Sequence, residues 1–190
     1  MAERWFQIPG EARGDRALAE QLQGLTPLLA EVRGRTVLDL GCAEGLISQA
    51  CLDAGASRVL GVEIVRAHVG IARRLCAGRP AAFDCEDLDV YCAHALRDGT
   101  FGRYDVVLAL AVLHKLARPA TVAKFICAAA LRLAVIRYPA ASPHGVLCDK
   151  RSEYRRFDVR HFLQARGFRL ERTERGPRDE VTDYFRRGPA

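Results

Sequence analysis

The sequence lacks long apolar runs and paired cysteines, although 49% of its 190 residues are hydrophobic. No run approaches the ~20 residues that a membrane-spanning helix needs. The seven cysteines are odd in number and never form a Cys-x-x-Cys pair, which argues against a disulfide framework and a structural zinc site. The first residues also lack the charged-then-apolar order of a secretory signal. We therefore expect a cytoplasmic protein with no membrane partner and no bound metal.

Lysine is scarce, with three residues among 29 basic ones. The formal net charge is nevertheless +6, and residues 150–190 carry twelve basic side chains against seven acidic ones. A basic surface of this kind suits an acidic partner such as RNA. Arginine in place of lysine, together with abundant alanine, is also typical of a biased genomic composition. A solvated basic face is therefore the alternative interpretation.

The length predicts one α/β domain over residues 1–190, because the chain is long enough for a sizeable core and too short for two full domains. Apolar residues before position 33 lie on one helical stripe that is interrupted at Gly24. Thr26 is the expected N-cap of the second part, with Pro27 in the first turn. We interpret residues 1–33 as an N-terminal helical arm.

Strands and helices alternate along the rest of the chain. Apolar patterns and turn signals predict strands at 36–40, 58–62, 81–83, 104–110 and 131–137, with helices at 44–54, at 65–77 and from Pro119. The run 104–110 is apolar throughout, so we expect it at the centre of the sheet. A helix after Asp158 precedes strands at 168–173 and 181–185, which form a hairpin. The predicted fold is a doubly wound, mostly parallel seven-stranded sheet with an antiparallel C-terminal hairpin strand and helices on both faces.

Residues 37–45 read Val-Leu-Asp-Leu-Gly-Cys-Ala-Glu-Gly, an apolar strand followed by a glycine turn. Glu63 follows about twenty residues later, where a carboxylate at the end of the second strand can accept ribose hydroxyls. A nicotinamide site fits this turn less well, because it lacks a third glycine and because Asp39 and Glu44 would repel a pyrophosphate. A turn that only joins strand to helix explains the two glycines but leaves the acids unexplained.

Further motifs occur in a characteristic order: Gly-Val-Glu at 61–63, Asp-Cys-Glu-Asp-Leu at 84–88, Tyr-Asp-Val-Val-Leu-Ala at 104–109 and Phe-Leu-Gln-Ala-Arg-Gly-Phe at 162–168. Together with the glycine turn, they resemble the class I S-adenosylmethionine-dependent methyltransferases. The similarity extends from about residue 34 to the end of the sequence. Ala43 stands where the family pattern often has glycine.

The resemblance implies S-adenosylmethionine as cofactor and S-adenosylhomocysteine as product. It places the amino-acid part of the cofactor over Asp39 and the turn, with Glu63 at the ribose and Asp84 at the amine of adenine. The complete set of implied cofactor-binding residues is Asp39, Gly41, Cys42, Ala43, Gly45, Glu63, Ile64, Asp84, Cys85 and Ala109, with Leu110 as the alternative to Ala109.

The sequence indicates less about the methyl acceptor than about the cofactor. A sulfonium methyl group is already activated, so the enzyme mainly aligns the acceptor and excludes water. A general base is needed only when the acceptor must lose a proton. His114 is the candidate base, and a helix-start histidine bonded to backbone is the alternative. Candidate acceptor contacts are Lys115, Tyr138 and Trp5, with Phe6 and Tyr91 as further candidates; ordinary packing is the alternative for the aromatic ones. His144 is a second candidate base.

Cys42 and Cys85 lie in candidate site turns, and we interpret them as small apolar residues rather than nucleophiles because no positioned base accompanies them. The Asp/Asn-Pro-Pro-Tyr/Phe signature of amino-group methyltransferases is absent. Its absence argues against a nucleobase or amide nitrogen as the acceptor. Because we see no appended RNA-binding module and no long insertion, we expect a methyltransferase that acts on a small molecule. The alternatives are an RNA or tRNA methyltransferase that uses an arginine-rich face including Arg151, Arg155, Arg156 and Arg160, and a non-catalytic cofactor-binding subunit.

Overall fold

The computed structural model describes residues 16–140 and 157–188. The predictions for Trp5, Phe6, His144, Arg151, Arg155 and Arg156 lie outside these residues. The strands are β1 (Thr36–Leu40), β2 (Arg58–Glu63), β3 (Ala81–Cys85), β4 (Tyr104–Leu110), β5 (Ala130–Pro139), β6 (Phe168–Arg175) and β7 (Glu180–Arg187). The helices are α1 (Leu18–Leu22), α2 (Thr26–Glu31), α3 (Leu46–Asp53), α4 (Arg66–Leu75), α5 (Leu88–Asp98), α6 (Pro119–Ala129) and α7 (Val159–Gln164), with a 3₁₀ turn at Leu113–Lys115.

The seven strands form one sheet in the order β3-β2-β1-β4-β5-β7-β6. Strands β1 to β5 are parallel, whereas β7 runs antiparallel to both β5 and β6. The predicted doubly wound fold with a reversed C-terminal strand is therefore confirmed. Strand β4 lies between β1 and β5, as its continuous apolar sequence predicted.

Alternating side chains of the central strands fill two hydrophobic cores, one on each face of the sheet. Leu38 and Val107 pack on the face covered by α5, α6 and α7. Their chain neighbours Val37 and Val106 pack on the other face, against α2, α3 and α4. Because both faces of these strands meet apolar surface, most of their residues are apolar. No helix in the described part of the chain is long and apolar enough to cross a membrane.

The sequence analysis missed one helix and misplaced one helix cap. Helix α5 was not predicted, although Asp87 accepts hydrogen bonds from the N–H groups of Asp89 (2.7 Å) and Val90 (3.4 Å) and Gly99 ends the helix at φ 65°. Asp87 is an ordinary N-cap and Gly99 an ordinary C-terminal glycine, so the sequence contained the signals needed to predict this helix. The prediction of Thr26 as an N-cap is wrong by one residue, because Thr26 already lies in the first turn of α2.

Candidate active site

A cavity of about 290 Å³ opens at the carboxyl ends of the central strands. It lies where the strand order reverses, because β1 is flanked by β2 on one side and β4 on the other. Open α/β sheets bind their ligands at this position. Four residues that the sequence assigned to a cofactor line the cavity: Gly41, Ala43, Glu63 and Ile64.

The glycine turn is wound tightly beneath the cavity. Gly41 and Gly45 adopt left-handed backbone conformations with φ of 77° and 78°. A Cβ atom at Gly45 would lie 2.7 Å from the Cβ atom of Ala72, so only glycine fits there without movement. The N–H groups of Gly41 and Cys42 donate to the carbonyl of Val62 at 2.8 and 3.2 Å, which ties the turn to β2.

The carboxylate of Glu63 is fixed by two backbone donors. Its Oε2 atom accepts from the N–H of Ala43 at 3.1 Å, and Oε1 accepts from the N–H of Val65 at 2.9 Å. Ala43 itself has φ 48°, which is uncommon for a residue with a Cβ atom. A carboxylate has lone pairs for about four hydrogen bonds. Glu63 therefore retains acceptor capacity towards the cavity that it lines.

Asp39 lies beneath the turn and not on the cavity wall. It is buried, and the hydroxyl of Ser48 donates to its Oδ2 atom at 2.6 Å, which joins β1 to α3. Burial raises the pKa of Asp39 to about 6, and the charge of Glu63 adds to this, while the bond from Ser48 opposes it. Glu44 is also buried, with its carboxylate 3.5 Å from Nε2 of His68. Both acids therefore hold the turn in place.

The far end of the cavity, beyond Glu63, is bordered by Ile64, Asp87 and Leu88. Ile64 is 59% exposed, which is unusual for a large apolar side chain and provides a flat apolar surface. Asp84 does not line this cavity and borders a separate, more open groove. Cys85 is exposed and its thiol lies 3.6 Å from the carbonyl of Ile64. Asp84 and Cys85, the two residues predicted to contact adenine, therefore do not line this cavity.

The middle of the cavity is formed by the residues that follow β4. Ala109 is fully buried and does not line the cavity, whereas Leu110 and Ala111 do. Ala111 has φ 55°, and its N–H donates to the carbonyl of Arg137 at 2.9 Å. A Cβ atom at Gly41 would lie 2.9 Å from Val112, so the chain after β4 approaches the glycine turn closely. The alternative position Leu110 is the one that lines the cavity.

Of the two polar residues after β4, the structure places Lys115 on the cavity wall and His114 behind it. Burial lowers the pKa of His114 to about 4, and the positive charges of Lys115 and Arg16 add to this. A histidine with this pKa is neutral near pH 7 and is a weak base. Desolvation and Arg16 likewise lower the pKa of Lys115. The role of His114 as a base stays a prediction that its position does not favour.

Tyr138 is engaged away from the cavity. Its hydroxyl donates to Oδ2 of Asp183 at 2.5 Å. Asp183 is fully buried and also accepts from Nε of Arg160 at 2.7 Å and from the hydroxyl of Thr173 at 2.7 Å. These bonds join β5, α7 and the β6–β7 hairpin. Tyr138 therefore belongs to a structural hydrogen-bond network and does not line the cavity.

Sequence reasoning missed two cavity residues from the N-terminal arm, Arg16 and Gln21. No local motif marks either of them, since their position depends on how α1 packs on distant strands. It also missed Asp87 and Leu88, which the N-cap signal of α5 would have placed near the end of β3.

The thiol of Cys42 in the glycine turn is not an accessible nucleophile. Cys42 is buried, and burial raises the pKa of its thiol far above the ordinary value. This confirms the interpretation of Cys42 as a small core residue. Within residues 16–140 and 157–188, no three His, Cys, Asp or Glu side chains are grouped closely enough to hold a metal ion.

Comparison with known proteins gives a family and a set of relatives. The sequence profile of a family described as "Methyltransferase domain" matches residues 12–173. The ubiquinone biosynthesis O-methyltransferase of Methylococcus capsulatus is 29% identical over 121 residues, covering 64% of this chain and 49% of the relative. The enzyme of the same name from Idiomarina loihiensis is 30% identical over 135 residues, covering 70% and 53%. The chain thus spans about half the length of these curated relatives.

Solved structures share the fold. Magnesium protoporphyrin IX methyltransferase from Synechocystis PCC 6803, crystallised with bound SAH, superposes with a TM-score of 0.69 at 21% identity and covers 90% of this chain and 84% of its own. A methyltransferase from Mesorhizobium loti superposes with a TM-score of 0.62 at 17% identity, covering 86% and 97%. At these identities the superpositions establish the fold alone.

Proposed function

We propose that this chain, which belongs to the methyltransferase-domain family and uses S-adenosylmethionine as its methyl donor, methylates a hydroxyl group of a small molecule. The family match covers most of the chain, and it confirms the enzyme class and the cofactor expected from the motifs. The acceptor is the part that we propose.

The main support for a donor site is the carboxylate of Glu63. Two backbone hydrogen bonds fix it on the wall of a cavity, at the point where the strand order of the sheet reverses. We propose that Glu63 accepts the ribose hydroxyls. Ile64 and Leu88 then border the adenine, and the backbone of Gly41, with Leu110 and Ala111, borders the thioether and amino-acid part. The acids around the turn suit a positively charged sulfonium.

When bound, the donor supplies an activated methyl group, which an acceptor oxygen attacks in line while the carbon–sulfur bond breaks and its electron pair goes to sulfur. The residues of this chain contribute alignment and exclusion of water. The acceptor hydroxyl loses its proton to solvent or to a base. His114 is a poor candidate for this base, so we favour an acceptor whose hydroxyl is acidic, such as a phenol or enol.

The names of the curated relatives support a small acceptor with a hydroxyl group, because those quoted above are named as ubiquinone biosynthesis O-methyltransferases.

The RNA alternative finds little support in the described C-terminal residues, because most of their arginines already have partners. Arg160 is bound by Asp183, Arg186 by Glu31 and Glu171, and Arg178 by Glu20. Arg187 donates to the carbonyls of Ala130 and Cys127. Paired arginines offer less net attraction to phosphate than the composition suggests.

The test of this function is transfer of labelled methyl groups into a fractionated cell extract, with the metabolite, RNA and protein pools counted separately. We expect label in the metabolite pool, in a bond that resists mild alkali as a methyl ether does. Label in RNA, together with RNA binding that weakens steeply as salt rises, would favour the RNA alternative. Binding of S-adenosylmethionine without transfer to any pool would favour the non-catalytic alternative.

A further inference from the structure

Two buried polar side chains meet behind the glycine turn. Glu44 belongs to this turn and His68 to the first turn of α4, and Oε1 of Glu44 lies 3.5 Å from Nε2 of His68. Glu44 has no solvent exposure, His68 is 2% exposed, and neither lines the cavity. Burying such a pair removes both groups from water, and two apolar side chains of similar volume are often at least as stable. Stability alone therefore does not explain the pair.

The pair closes a ring of contacts around the carboxylate of Glu63. One oxygen of Glu63 accepts from the N–H of Ala43 in the turn, and the other accepts from the N–H of Val65, the N-cap of α4. Ala43 precedes Glu44 in the chain, and Val65 lies within one helical turn of His68. The contact between Glu44 and His68 therefore fixes the separation of the two backbone donors that hold Glu63.

The backbone that presents the N–H of Ala43 needs such a restraint. Ala43 has φ 48° and Gly45 has φ 78°, so Glu44 is flanked by two left-handed residues. A left-handed conformation is unfavourable for a residue with a Cβ atom and persists where surrounding contacts enforce it. The contact of Glu44 with α4 restrains the backbone on both sides of it. Apolar packing is non-directional and would leave the turn more freedom to rotate.

We infer that Glu44 and His68 are positioning residues for the donor, an inference that rests on the proposed function. They act through Glu63. By holding the turn at a fixed separation from α4, they keep the carboxylate bound to both backbone donors and its remaining lone pairs directed at the ribose hydroxyls. Breaking the pair frees this carboxylate to change its orientation. The ribose contact then weakens, whereas contacts with the adenine change little.

The experiment measures the preference of the protein for adenosine over 2′,3′-dideoxyadenosine, which lacks both ribose hydroxyls. Calorimetry gives the affinity of each nucleoside by competition with S-adenosylhomocysteine, and the ratio of the two affinities reports the ribose contact. Thermal melting gives the stability of each variant. Because the ratio compares two ligands of one folded protein, a change in stability alone does not alter it.

The central variant replaces both members of the pair, Glu44→Leu with His68→Leu, so that neither buried polar group is left with less compensation and the protein folds. His68→Leu removes the imidazole alone, and His68→Gln replaces it by an amide that can still donate to Glu44. Val69→Ala is the matched control, because Val69 is the next residue of α4 and is buried in the hydrophobic core. It lowers stability without removing either member of the pair.

We expect the wild type to prefer adenosine by roughly tenfold or more, and the double variant to prefer it by less than about threefold at a melting temperature close to that of the wild type. His68→Leu shows the same loss at a lower melting temperature, and His68→Gln restores most of the preference. Val69→Ala melts at a lower temperature and keeps the full preference. Binding of 2′,3′-dideoxyadenosine changes by less than about twofold in every variant.

The inference fails if the double variant keeps the wild-type preference, or if 2′,3′-dideoxyadenosine loses as much affinity as adenosine, because the pair would then support only the fold of the turn. The proposed function fails in a different way, namely if the wild type binds neither S-adenosylhomocysteine nor adenosine. A wild type that binds both nucleosides equally would overturn the placement of the ribose at Glu63, and the inference with it.

Discussion

The two ends of the cavity are built differently. The donor end, where we propose that the ribose and adenine of the donor bind, comes from the turn after β1 and from Glu63 and Ile64 at the end of β2. The opposite end, the arm end, is formed by Arg16 just before α1, by Gln21 of α1 and by Lys115 of the turn after β4. Local backbone geometry therefore determines the donor end, whereas long-range packing determines the arm end. We therefore expect the donor end to be sensitive to substitutions in the glycine turn and the arm end to be sensitive to loss of distant packing contacts.

The largest effect on stability should come from Arg137, which anchors the arm. Arg137→Met removes three hydrogen bonds and leaves two carbonyls and a hydroxyl without their donor. We expect the free energy of unfolding to fall by about 3 kcal/mol or more, measured by urea denaturation. Arg132→Met is the control, because Arg132 lies on the same strand with its side chain exposed. Equal stabilities of the two variants would show that the arm is not held by this residue.

At the donor end, the glycine turn can be tested with two matched substitutions. Gly45→Ala meets both an unfavourable φ of 78° and a contact of 2.7 Å with Ala72, whereas Gly34→Ala meets only an unfavourable φ of 68° in open space. We expect Gly34→Ala to cost about 1 kcal/mol and Gly45→Ala about 2–3 kcal/mol in urea denaturation. The difference measures the close packing of the turn on α4. Similar costs would mean that α4 moves aside freely.

Asp39 gives the donor end a pH dependence. Burial raises its pKa from 3.8 to about 6, so the folded protein keeps a proton that the unfolded chain releases. The contribution of Asp39 to stability therefore falls as the pH rises from about 4 to about 6 and stays low above it. In Asp39→Asn the amide oxygen can still accept the hydrogen bond from Ser48. The amide does not titrate, so this variant should not lose stability over the same pH range.

The measurement is the free energy of unfolding of both proteins between pH 4 and pH 7. As the pH rises over this window, we expect the stability of Asp39→Asn relative to the wild type to increase by up to about 2–3 kcal/mol. Two parallel curves would contradict the pKa shift of Asp39.

The sequence predicted the sheet, and it located the glycine turn and Glu63 at the sheet edge where the cavity opens, because each has a local signal: apolar runs, glycines with left-handed backbone, and an acid at the end of a strand. The contact of Glu63 with the ribose stays a prediction. It could not place Arg16, Gln21 or the anchoring role of Arg137, since these depend on contacts between residues more than a hundred positions apart. It assigned adenine contacts to Asp84 and Cys85 from the family pattern, whereas the cavity wall is formed by Asp87 and Leu88.

The central claim is that the cavity beside Glu63 holds the ribose of the donor. Calorimetric titration of S-adenosylhomocysteine into the wild type, Glu63→Ala and Asp84→Ala tests it most directly. We expect Glu63→Ala to weaken binding by about 1–3 kcal/mol, or roughly fivefold to 150-fold, and Asp84→Ala to change it little, because Glu63 lines the cavity and Asp84 does not. Unchanged affinity in Glu63→Ala, or a large loss in Asp84→Ala alone, would contradict this placement of the donor.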